Sequence, residues 1–116
     1  MIDKIMDLLS KRAELTMEFK KLKAEGSREF SLCTGDAGGC LTRSHNEWES
    51  TMRHAEYYEY TSFEDWYLED VAEGKICEHC QKARKLKRDR GVIGKRLGHV
   101  NSQLTVIGKS ILKSRN

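Results

Sequence analysis

The chain has no proline. It therefore lacks the cis-proline that a thioredoxin-type redox site uses, since cis peptide bonds are essentially a proline feature. No apolar run approaches the ~18 residues of a membrane span. The N-terminus alternates charged and apolar residues, unlike a secretory signal, so an intracellular, cytoplasmic protein is expected. Walker loop, GxGxxG, GxSxG and HExxH motifs are all missing. These absences argue against a substrate-pocket enzyme, and a non-enzymatic protein is expected. Apolar material is also scarce: 38% of the 116 residues are hydrophobic and 34% charged. At this length one domain, residues 1–116, buries roughly two thirds of its unfolded surface. Such a thin core benefits from a covalent or metal staple, and four cysteines are present to supply one.

The net charge of +3 conceals a strong asymmetry. Residues 1–40 hold seven acids and seven bases. Residues 41–75 hold nine acids against three bases, and residues 76–116 hold two acids against eleven bases. A −6 block followed by a +9 block implies two separate electrostatic surfaces.

Periodicity predicts a mostly α protein. Ile5, Leu8, Arg12, Leu15, Phe19 and Leu22 alternate at spacings of three and four, a heptad seam carrying one arginine. Ile2, Met6, Leu9 and Ala13 widen the apolar face. A helix over 2–24 would be about 34 Å long, with Gly26 as its stop. Residues 25–43 read as irregular, with a tight glycine-rich turn from Cys33 to Cys40. Ser44 with Glu47, and Thr61 with Glu64, look like capping boxes opening two short acidic helices over 44–60 and 62–73, and Gly74 like a C-terminal glycine. Ala83, Leu86, Ile93, Leu97, Val100, Leu104, Ile107 and Ile111 give about four heptads of seam for a helix over 77–113. Gly91, Gly94 and Gly98 interrupt it at about 1 kcal/mol each. They imply either a break or a close backbone approach. The expected architecture is an antiparallel, coiled-coil-like helical hairpin. A Cys-bearing loop and an acidic, aromatic head, residues 25–76, lie between its long helices.

Cys33 and Cys40 enclose six residues, Cys77 and Cys80 only two. A C-x2-C pair supplies two sulfurs on one edge of a tetrahedron, and a structural zinc takes two such edges at roughly 2.3 Å. Cys77-Glu78-His79-Cys80 also opens a predicted helix, whose dipole favours thiolate. One structural Zn2+ on Cys33, Cys40, Cys77 and Cys80 is the leading reading. The alternatives are a set with His45, His54 or His79 replacing one cysteine, two disulfides, a redox C-x-x-C, and free thiols.

Lys82, Arg84, Lys85, Lys87, Arg88, Arg90, Lys95 and Arg96 form the basic stretch of the last helix. Such a strip can neutralise phosphates, or it can be a solvated face, or pair with the acidic segment. No base-reading motif accompanies it, so nucleic-acid contact would be directed at the backbone. In the acidic head, Trp48, Tyr57, Tyr58, Glu59, Trp66, Tyr67 and Glu69 are candidates for a protein-binding surface, because Tyr and Trp are enriched at hot spots. The other reading is that the aromatics form the small core.

Helical hairpin plus four cysteines resembles in outline the small zinc proteins that insert a coiled coil into the secondary channel of RNA polymerase. Their cysteines form two C-x2-C knuckles lying together outside the hairpin. Here the two pairs bracket a 36-residue insert, and no residue roles carry over. The sequence reading is thus a small zinc-binding regulator that contacts nucleic acid or a nucleoprotein complex through residues 82–96, as monomer or homodimer, without membrane contact. A protein-directed inhibitor or adaptor acting through residues 47–73 is the alternative. A zinc-knuckle nuclease using His45 and His54 is the third.

Overall fold

The computed structural model describes residues 1–35 and 39–115. It is mostly α. Helix α1 spans Ile2–Ser31, α2 Cys40–Arg53, α3 Phe63–Ala72 and α4 Glu78–Arg115, with a 3-10 turn at Tyr57–Glu59. No helix among the described residues is long and apolar enough to cross a membrane. The chain divides into two compact units, residues 1–25 with 85–116, and residues 26–84.

The first unit is a hairpin in which α1 packs on α4 along the two seams. Leu15, Ile93 and Val100 are buried, and Leu8, Phe19, Leu22, Leu97 and Leu104 pack around them. Arg12 is exposed, so the one charge in the seam stays in water. Helix α4 runs unbroken through its glycines. A Cβ on Gly94 would lie 3.4 Å from Cε2 of Phe19, so that glycine seats a ring. Beside Gly91 and Gly98 a Cβ would meet nothing within 4 Å. Nothing in the unit exploits their missing side chains, while each carries the helix penalty of glycine. Gly91→Ala and Gly98→Ala are each expected to stabilise the hairpin by about 1 kcal/mol, read as a higher melting temperature.

The second unit departs from the sequence expectation at four boundaries. Gly26 does not end α1, which continues to Ser31. The added turn is held from outside: Oε2 of Glu29 lies 2.8 Å from Nδ1 of His79, and the Phe30 ring packs against Gly39. These contacts outweigh a penalty of about 1 kcal/mol for one helical glycine. Helix α2 starts at Cys40, four residues before the expected cap. Ser44 is fully buried, and its hydroxyl donates to Oδ2 of Asp70 at 2.6 Å instead of capping a helix. The segment expected as one helix over 44–60 ends at Arg53. Helix α3 is capped by Ser62, not Thr61: the Ser62 hydroxyl accepts from the backbone N–H of Asp65 at 3.2 Å.

Gly74 behaves as expected. Its φ of 74° suits a C-terminal glycine. Its N–H donates to the Val71 carbonyl at 3.0 Å, and that of Lys75 to the Asp70 carbonyl at 2.9 Å. This pair of bonds is a Schellman motif. It reverses the chain so that Ile76, 3% exposed, enters the core just before Cys77.

Candidate metal centre

All four cysteines belong to the second unit, and their sulfurs lie within 4.8 Å of one another. Cys33 follows the end of α1, where its N–H donates to the Phe30 carbonyl at 3.1 Å. Cys40 is the first residue of α2. Cys77 precedes α4 and its carbonyl accepts from the N–H of Gln81 at 3.1 Å. Cys80 sits in the first turn of α4. Three of the four thiols therefore lie at helix N-termini, where the backbone dipole favours negative charge.

Backbone N–H groups reinforce this. Those of Gly35 and Cys40 each donate to Sγ of Cys33 at 3.4 Å, and that of Cys80 donates to Sγ of Cys77 at 3.4 Å. Hydrogen bonds to a charged form favour it. The N–H groups of Cys40 and Gly35 bring the Cys33 thiol down to about 6. Burial pushes Cys80 up to about 12. Cys40 receives an N–H from Cys77, yet burial and the thiols of Cys33 and Cys77 leave it raised. Four sulfurs this close cannot all carry charge without a cation among them. A divalent ion removes the conflict by drawing all four into the thiolate form.

The donor set fits a metal ion. Sγ of Cys33 and Sγ of Cys40 are 3.6 Å apart, far beyond a disulfide bond of about 2.05 Å, and all four cysteines are free. Two sulfurs on one tetrahedral metal at about 2.3 Å are separated by about 3.8 Å. The observed sulfurs, all within 4.8 Å of one another, exceed that separation by no more than about 1 Å. Cys40 and Cys80 are buried, with Tyr67, Ile76, Leu41, Phe63 and Val71 packed about them.

Two glycines shape the first knuckle. Gly39 has φ 110°, a conformation that side-chain-bearing residues rarely adopt. A Cβ on Gly35 would fall 2.8 Å from Sγ of Cys40 and 3.3 Å from its nitrogen. Gly35→Ala is expected to displace the Cys40 sulfur and weaken metal affinity by 10-fold or more, measured by competition with a chromogenic chelator. Residues 36–38, the middle of the expected tight turn, lie outside the described residues.

Among the described residues the metal-ligating set contains no histidine. His79 is engaged by Glu29, whose carboxyl is held below its usual range by that hydrogen bond. His45 packs against Trp48 and Phe63 with centroids 5.4 and 5.0 Å away, and lies 3.8 Å from Glu49. His54 is exposed at the end of α2.

The basic residues separate into two kinds. Arg84 donates to Oε2 of Glu64 and lies over the Phe63 and Tyr67 rings, 5.0 and 4.3 Å from their centroids. It is part of the second unit's packing. Lys82 pairs with Glu78 at 3.1 Å. In the hairpin unit, Arg90 stands 5.8 Å from the Phe19 centroid, while Lys85, Lys87, Arg88, Lys95 and Arg96 are exposed. The aromatic candidates separate as well. Tyr67 is 7% exposed and in the core. Trp48 donates its indole N–H to the Thr61 carbonyl at 2.7 Å, and Trp66 is half-buried. Tyr57, Tyr58, Glu59 and Glu69 face water, Tyr57 at 98% and Tyr58 at 78%.

The Glu29–His79 and Ser44–Asp70 pairs escaped the sequence reading. Their partners are 50 and 26 residues apart, and no local pattern signals either. Comparison with known protein families, with characterised proteins and with solved structures finds no match.

Proposed function

We propose that this chain is a zinc-stabilised, non-enzymatic binding protein. The observation that carries the reading is the convergence of four cysteine sulfurs from two distant pairs, with N–H donors already directed at them. Four thiolates in a closed tetrahedron are a structural zinc set, with no open position for substrate. Soft sulfur ligands select zinc or iron over hard cations, and the short sulfur separations suit one ion better than a polynuclear cluster. The zinc holds a scaffold, and the exposed surface does the binding.

For the partner, the reading supported best is the sugar-phosphate backbone of a nucleic acid. Lys85, Lys87, Arg88, Lys95 and Arg96 lie exposed on one stretch of α4. Each phosphate neutralised adds about 0.9 to the slope of log affinity against log salt on duplex DNA. Fluorescence anisotropy with duplex and single-stranded oligonucleotides at several salt concentrations tests this. The triple variant Lys87→Glu, Lys95→Glu and Arg96→Glu is expected to lower the slope by about 2–3 and to bind at least 10-fold more weakly. Salt-independent binding, or an unaffected triple variant, would sink the reading.

A second reading rests on the turn at Tyr57–Glu59. Glu56 and Glu59 form a reciprocal capping box there, so Tyr57 and Tyr58 are presented on an ordered turn. Exposed aromatics held this way suit a protein partner. Under that reading Tyr57→Ala with Tyr58→Ala abolishes function and leaves the fold and the salt-dependent binding intact.

A further inference from the structure

We propose that the hairpin unit is half of a symmetric dimer, in which a second copy of this chain covers the stripe Ile2, Met6, Leu9, Ala13 and Met17 of α1. The spacings of four, three, four and four put these residues on one side of the helix. They form a row on the side of α1 turned away from the seam of Leu8, Leu15, Phe19 and Leu22 that packs on α4. Ile2 is 77% exposed, Met6 60%, Met17 73% and Leu9 37%, and Ala13 is exposed too. Scattered exposed apolar residues are ordinary, but a continuous stripe marks an interface.

Phe19 packs against Gly94. Antiparallel helices in that register place Ile2 level with Ile111, and exposed Leu112 follows.

Two observations favour a second copy as the occupant. The hairpin unit buries only Leu15, Ile93 and Val100, a core too small for two helices to stand alone. Small scaffolds compensate with a metal, disulfides or oligomerisation. The cysteines all lie in the other unit, which leaves association. Second, residues 1–25 carry five acids and six bases, so two α1 stripes meet with little net repulsion. The exposed bases of α4 do not share that property.

Sedimentation equilibrium of the full, reduced, metal-loaded chain across the micromolar range tests the proposal. The wild type is expected at twice 13.4 kDa. The double variants Met6→Lys with Leu9→Lys, and Ile2→Lys with Ala13→Lys, are expected at 13.4 kDa. All substituted positions are exposed, so metal content should be unchanged. A wild type that stays at one chain mass, or a dimer that survives both variants, overturns the proposal. If the variants lose helicity as well as mass, the wild-type melting temperature must rise with protein concentration. Concentration-independent melting then overturns it.

Discussion

Stripping the proposed zinc should abolish the cooperative melt of the cysteine unit. Cys40 and Cys80 make up half of its buried hydrophobic cluster, with Tyr67 and Ile76. The ligands are themselves the core. Structural zinc binds small domains with an apparent 10–16 kcal/mol at neutral pH, as much as the whole stability of a typical domain. Freshly purified, reduced protein should hold one zinc per chain by elemental analysis. A strong chelator should then remove both the ion and the transition seen by circular dichroism, and Cys80→Ser should reproduce that state. An unchanged melt after complete chelation would rule out the metal as the staple.

Acid should act in the same direction. Each ligand binds as thiolate, so protons compete with the metal. The Cys33 thiol is held low, at about 6, by the N–H groups of Cys40 and Gly35. A group depressed in the fold stabilises it fully above the unfolded-state value, near 8.5, and that contribution is lost as pH falls through the folded value. Between about pH 8 and pH 5, zinc affinity and melting temperature should therefore fall together. Zinc retained through dialysis at pH 5 against a competing chelator would contradict this.

The long helices were legible because their seams recur many times. Leu8, Leu15, Phe19 and Leu22, and Ile93, Leu97, Val100 and Leu104, all lie in the packed hairpin. A repeated pattern survives single defects such as Arg12 or Gly94. The cysteine set was legible because few residue types bind metal and the spacing of Cys77 and Cys80 is distinctive. What stayed hidden was fixed by partners distant in sequence. Gly26 signals a helix end locally, but Glu29 and Phe30 find His79 and Gly39 and extend the helix. Ser44 looks like a cap, but Asp70 takes its hydroxyl into the core. The Ser62 cap was missed by one residue because Thr61 and Glu64 fit the same pattern as Ser62 and Asp65. In the basic stretch the sequence gives eight equivalent charges, and only packing distinguishes Arg84 from Lys87.

That distinction yields the second large effect. Arg84→Glu is expected to destabilise the cysteine unit by about 2–3 kcal/mol, lowering its melting temperature by roughly 10–20 °C. The arginine side chain is 24% exposed and its partner Glu64 42%, so the ion pair is worth more than a surface pair and less than a buried one. Its place over the Phe63 and Tyr67 rings adds about 1–2 kcal/mol. Reversal sets a carboxylate against Glu64 and against the negative ring faces. Arg84→Lys should recover part of the loss, because an ammonium keeps the charge but not the planar stack. Adding Glu64→Arg to Arg84→Glu should restore the ion pair without the ring contact, so the double variant should melt between the wild type and Arg84→Glu. Lys87→Glu and Lys95→Glu, on exposed positions, should move the melt by no more than about 0.5 kcal/mol. If Arg84→Glu melts like those two, the ring contacts contribute nothing and Arg84 rejoins the surface charges. If it falls as expected, any loss of nucleic-acid binding in that variant reports unfolding, and only the outward-facing bases can test the phosphate reading.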